Sequence, residues 1–211
     1  MYLFTRSARL APGNIETSMD WAVRITEKVN QIVELEVGLW ARVFSPGSGT
    51  LVWSTTVESL AALEASEDKL MADSGYLSLV EQGAKLGSSD PIDDQLTQLV
   101  YADPGAADVQ AQYATVVEAR LAPGSSVRGV ELGIDIAQQA SRITGCPTSF
   151  GLAVTGDYGG VAWLTMLTSV EQLQHSQEAI AGAPEFAKKV DEEASTVFLP
   201  NVQQMTYRRI C

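Results

Sequence analysis

One six-residue string occurs twice in this chain. Ala8-Arg9-Leu10-Ala11-Pro12-Gly13 returns letter for letter as Ala119-Arg120-Leu121-Ala122-Pro123-Gly124, 111 positions later. Self-similarity at this spacing constrains the fold more than composition does, because each copy must be a folding unit in its own right or half of a shared one. With the offset moved to 113, Gly38-Leu39 aligns with Gly151-Leu152, Gly47 with Gly160, Val57-Glu58 with Val170-Glu171 and Leu60 with Leu173. Further on, Tyr76 pairs with Phe186 and Leu96-Thr97 with Met205-Thr206. The chain therefore reads as two tandem, diverged copies over residues 1–101 and 113–211, joined by a linker at 102–112 that carries Asp-Pro-Gly-Ala-Ala.

Each copy has one pattern. Tyr2 to Leu10 alternates and stops at turn chemistry, which predicts a strand. Ile15, Met19, Ala22, Val23, Ile25 and Val29 recur at helical spacing, so a helix follows over about Asn14 to Val33. Leu35 to Val43 alternates, Ser-Pro-Gly-Ser-Gly turns the chain, and Thr50 to Ser54 completes a hairpin. A helical stretch from Val57 to about Gln82, broken near Asp73-Ser74-Gly75, leads to a last strand over Gln95 to Tyr101. The second copy repeats this with strands near 113–121 and 202–210, helices near 126–142 and 170–193, and a hairpin near 148–167. The order β-α-β-β-α-β is the ferredoxin-like arrangement, with both helices on one face of an antiparallel sheet. The expected fold class is α+β: two tandem ferredoxin-like repeats that cover each other and wrap into an α+β barrel within one chain.

Composition removes several function classes. Of 211 residues, 45% are hydrophobic and 19% charged, enough apolar material for a sizeable core. A net charge of −12 argues against nucleic acid as a partner, since phosphate binding needs a basic surface. One histidine and two distant cysteines, Cys146 and Cys211, offer no metal-ligand spacing, so no metal is expected and both thiols read as free. The glycine turns at 45–49 and 156–160 match no phosphate-cradling motif. No apolar run reaches the roughly 20 residues needed to span a bilayer, and the start lacks the apolar stretch of a signal peptide. A cytoplasmic protein without membrane contact, monomeric or homodimeric, is the expectation.

The run Gly49-Thr50-Leu51-Val52-Trp53-Ser54-Thr55-Thr56-Val57-Glu58-Ser59-Leu60, followed by Asp73-Ser74-Gly75-Tyr76, resembles the strand-to-helix junction of the dimeric α+β barrel superfamily. Within it the likeness is to the antibiotic-biosynthesis-monooxygenase type. Members commonly carry a Trp at the end of the third strand and a His about nine residues on. Trp53 matches the first, with Ala62 at the histidine position; in the second copy Met166 stands at the Trp position and His175 at the His position. The resemblance implies a small-molecule enzyme, a cofactor-independent monooxygenase acting on an aromatic or quinol-like substrate. The alternative is a non-catalytic ligand-binding or assembly protein. Val80 and Val190 stand where haem-degrading relatives place their ligand, so no cofactor is expected.

Alternation supplies the candidate site. If Ala8 and Leu10 lie under the helices, Arg9 and Ser7 face the barrel interior, and Arg120 and Glu118 do the same in the second copy. Leu35, Val37 and Leu39 make an apolar face, which turns Glu36, Trp40 and Arg42 towards Arg9. These charges either pair with each other as structural ion pairs or line a wet pocket. In the pocket reading Arg9, Arg42 and Arg120 hold an anionic or phenolate ligand and Trp40 and Trp53 wall it. His175 is the one imidazole suited to proton transfer near neutrality, and Glu118 or Glu36 serves if desolvation raises its pKa.

Overall fold

The computed structural model describes residues 1–11, 13–87 and 91–211. Pro12 of the repeated hexapeptide therefore lies outside the described residues. In chain order the elements are β1 (Tyr2–Arg9), α1 (Ile15–Ile32), β2 (Gly38–Val43), β3 (Thr50–Val57), α2 (Leu60–Met71), α3 (Ser74–Leu86) and β4 (Asp93–Tyr101). After a 3-10 turn at Pro104–Asp108 come β5 (Tyr113–Arg120), α4 (Ser126–Thr144), β6 (Thr148–Ala153), β7 (Gly160–Leu167), α5 (Val170–Ala181) and α6 (Pro184–Lys189). A π-helical turn at Val190–Ala194, the short α7 (Ser195–Val197) and β8 (Gln203–Arg209) finish the chain. The class is α+β, and each half reads strand, helix, two strands, helices, strand.

Contacts divide the chain into two compact units, Met1–Leu96 with Arg209–Cys211, and Thr97–Arg208. In the first, β1 pairs antiparallel with β3 from Tyr2↔Val57 to Arg9↔Thr50, and β3 pairs with β2. Leu39 donates its backbone N–H to the Cys211 carbonyl (2.9 Å) and accepts from Ile210 (2.7 Å), which holds the chain's end beside β2. In the second unit the order is β8-β5-β7-β6-β4, again all antiparallel.

The two hairpins correct the alignment. Arg6 lies opposite Trp53 and Val117 opposite Trp163; Leu39 lies opposite Trp53 and Phe150 opposite Trp163. Structural equivalence therefore keeps the offset of 111 through β2 and β6 and drops to 110 after the turn, rather than rising to 113. Both copies then carry a tryptophan at one position, Trp53 and Trp163. Met166 does not occupy that position, and the residue nine beyond Trp163 is Gln172 instead of His175. The reason is physical: turn length and ladder register fix a hairpin, and short Gly-Leu and Val-Glu coincidences carry no weight against them. The helix caps agree, because Ser59 and Ser169, 110 apart, each accept a backbone N–H, from Ala62 and Gln172.

The two cores differ. In the second unit Phe150 and Val197 are fully buried and pack with Trp163, Phe198, Leu132 and Val161. Phe150 stacks at 39° on Trp163 (5.1 Å), whose other side meets Phe198 edge-on (5.3 Å). A Cβ on Gly133 would come within 2.2 Å of the Phe150 ring, so the glycine is what admits it. In the first unit the smaller Leu39 takes the place of Phe150 and packs on Ala22 and Leu51. Among the described residues no helix is long and apolar enough to cross a membrane.

Candidate functional site

A cavity of about 480 Å³ lies within the first unit, between the helix-facing side of β1 and β3 and the helices α1, α2 and α3. Cross-strand partners share a face, so the pairing Arg6↔Trp53 puts both side chains on the side that carries Phe4, Ala8 and Leu10. All of these line the cavity. The helices contribute Ser18, Trp21 and Ile25 from α1, Leu70 from α2, and Tyr76 from α3.

Its aromatic walls are held by hydrogen bonds. The Trp53 indole N–H donates to Thr26 Oγ1 (2.8 Å), and that hydroxyl donates to the Ala22 carbonyl (2.7 Å). Trp21 donates to the Leu79 carbonyl (2.7 Å) and meets Trp53 edge-on at 6.0 Å. Gly83 allows this, since a Cβ there would lie 2.2 Å from the Trp21 ring. Tyr76 is buried and sits in the first turn of α3, whose N-cap Asp73 accepts its backbone N–H (2.8 Å). That bond, with the Lys28 ammonium at 3.0 Å, holds the Asp73 carboxyl below its usual pKa.

Arg6 supplies positive charge. Its guanidinium is bidentate to Asp94, Nε to Oδ1 at 2.7 Å and Nη2 to Oδ2 at 2.6 Å. Asp94 raises the Arg6 pKa above its ordinary value, outweighing partial burial, with smaller help from Tyr76 and Glu67. Arg6 thus stays cationic at every accessible pH. Two buried hydroxyls on the lining residues, Ser18 Oγ and Thr55 Oγ1, have no hydrogen-bond partner among the described residues. Unpaired buried hydroxyls cost stability, which is tolerable where a ligand or water completes them.

Of the residues singled out from sequence, Arg9 and Trp53 line this cavity. Arg9 is exposed at the end of β1. Trp40 is buried on the opposite sheet face from Trp53, where its N–H donates to Ser54 Oγ (2.9 Å) and the Arg209 guanidinium lies 5.8 Å from its ring. Arg42 lies over its own hairpin turn, 3.5 Å from the Pro46 carbonyl. Arg120 pairs with Asp157 (2.9 Å), and Glu36 with Arg209 (2.7 Å). Arg120 and Glu36 thus have partners outside the set singled out from sequence, in pairs that are at least partly exposed. Glu118 is half-buried on β5 and His175 is exposed on α5; both belong to the second unit and neither lines the cavity. Among the described residues no group of three or more His, Cys, Asp or Glu is placed to hold a metal ion.

Arg6, Trp21 and Tyr76 line the cavity without being among the site residues that the sequence singles out. Arg6 had a signal, since it shares the parity of Ala8 and Leu10.

Comparison with solved structures gives whole-chain matches. Two structures named "putative monooxygenase" align over nearly all of the chain. The one from Fusobacterium nucleatum subsp. nucleatum ATCC 25586 has a TM-score of 0.73 at 8% identity, covering 100% of this chain and 92% of its own. The one from Lactobacillus acidophilus NCFM has 0.63 at 8%, covering 99% and 93%. An anthrone oxidase-like protein matches with 0.60 at 11%, covering 100% and 91%. The chain shares its α+β fold with these structures. No protein-family model and no curated protein matches the chain. At these identities the likeness is one of fold, and function has to be argued from the cavity.

Proposed function

We propose that the cavity of the first unit binds an aromatic or quinol-like small molecule and that the protein acts on it as a cofactor-independent monooxygenase. The observation that carries this is one cavity of about 480 Å³ walled by Trp21, Trp53 and Tyr76 with the Arg6 guanidinium among its lining. That size suits a small ligand, and apolar walls with a few fixed polar groups are the usual form of such sites. The matches to structures named for monooxygenase and anthrone oxidase-like proteins support the reading.

The chemistry follows from these groups. A phenol or an activated ring CH₂ gives up a proton, and the anion left behind is stabilised by the Arg6 guanidinium. Glu67, the carboxylate among the lining residues, accepts the proton. The carbanion passes one electron to O₂, the two radicals combine to form a C–O bond, and the resulting peroxide loses water as its O–O bond breaks. One CH₂ and one O₂ become one C=O and one H₂O. The substrate is the reductant.

A second reading, a binding protein without turnover, has its own support: Arg6 is already engaged by Asp94, and His175 lies outside the cavity. An oxygen electrode separates the two. With anthrone or menadiol, the enzyme reading expects O₂ uptake well above autoxidation, one O₂ per quinone formed from anthrone. Quenching of tryptophan fluorescence by these compounds without uptake selects the binding protein, and neither signal defeats both.

A further inference from the structure

The cavity is divided chemically along its length. α1 and β3 advance together: Ala22 packs with Leu51, Ile25 with Trp53, and the start of β2 lies level with the middle of β3 through Gly38↔Ser54. α3 runs back along α1, since Asp73 reaches Lys28 while Leu79 reaches Trp21. Lining residues on α1 and its C-cap run from Ser18 to Val33, on the order of 20 Å at the helical rise. A fused three-ring molecule fills only part of that length.

The middle holds Trp21, Trp53, Tyr76 and Arg6, as described above. Beyond Ile25, towards the loop after α1, the walls become largely aliphatic: Val29, Val33, Leu35 and Val37, joined by Leu63 and Leu70 from α2, stand beside the Phe4–Thr55 pair of β1 and β3 and beside Ser66 and Glu67 of α2. The six aliphatic side chains can neither hydrogen-bond nor stack on a ring.

We propose that the ligand is a phenol or quinol carrying an alkyl or isoprenoid tail, with its ring between Trp21, Trp53 and Tyr76 and its tail along the Val29–Val37 end. This rests on the aromatic-ligand reading and extends it. Burying methylenes is favourable in proportion to the area removed from water, and a largely aliphatic extension of an aromatic site suits a chain of methylenes better than a second polar ring. The tail also selects orientation, placing the ring oxygens beside Arg6.

A tail-length series tests this on the intact chain. Hydroquinones with methyl, pentyl and decyl substituents are titrated against the protein's tryptophan fluorescence under anaerobic conditions, below their aggregation limits. Affinity should rise by about threefold per added methylene at first and about a hundredfold in all. Val37→Phe, at a half-buried loop position, should cancel most of that gain while leaving the methyl compound's affinity unchanged. A thermal melt confirms that the variant folds. Equal affinity across the series overturns the tail and leaves the ring site standing, and a gain untouched by Val37→Phe moves the tail elsewhere and overturns its placement. Failure of every compound to bind removes the aromatic site and the tail with it.

Discussion

Replacing Phe150 with alanine should remove roughly 3–5 kcal/mol of stability, the range for deleting a buried large aromatic. Phe150 is 0% exposed, rests on Gly133 and stacks on Trp163. Its neighbours cannot collapse into the space, because Trp163 is fixed by the bond from its indole N–H to the Gly133 carbonyl (2.8 Å) and Phe198 is wedged against its other side. Most domains have only about 5–15 kcal/mol to lose, so the variant should be marginal. Urea denaturation beside the parent checks it, and a loss under about 1 kcal/mol would show that the second unit's core repacks.

The largest functional effect belongs to Arg6. Arg6→Ala should lower kcat/KM for a phenolic substrate by roughly 10- to 100-fold, the worth of one charge-assisted hydrogen bond of about 1.5–3 kcal/mol. Stability should hardly move. Side-chain exposures of 38% for Arg6 and 44% for Asp94 place the pair among partly exposed salt bridges, which contribute about 0–1 kcal/mol. Arg6→Lys should recover part of the activity, as a point charge cannot reproduce the planar fork. A large fall in melting temperature with unchanged kcat/KM would make Arg6 structural only. Because Asp94 raises the Arg6 pKa, no loss of activity at alkaline pH should trace to Arg6 itself.

What could be read from the sequence was the part governed by local period. Alternation in Tyr2–Leu10, the helical stripe on α1 and the Ser-Pro-Gly-Ser-Gly turn each have one strong physical cause, and each gave the right element. Alternation also assigned Ala8 and Leu10 to the helix side, where they line the cavity. The site itself was harder, because it depends on which face has room. Alternation turns Arg9 and Trp40 to one face of the strands, whereas this cavity opens mainly on the other, where Leu39 stands in place of Phe150 and Arg6 shares a rung with Trp53. Cavity formation is a matter of volume summed over three helices and two strands, and no single residue announces it. His175 drew attention as the one imidazole, yet it was matched through a three-residue slip in the hairpin that only the ladder could reveal.

The proposal that the first unit's cavity is the ligand site meets its most direct test in a crystal structure of the protein with a bound alkyl-hydroquinone. Ring density between Trp21, Trp53 and Tyr76, with an oxygen within hydrogen-bond distance of Arg6, is the expected result. Density elsewhere, beside His175 or Arg120, with the cavity holding only water, would contradict it.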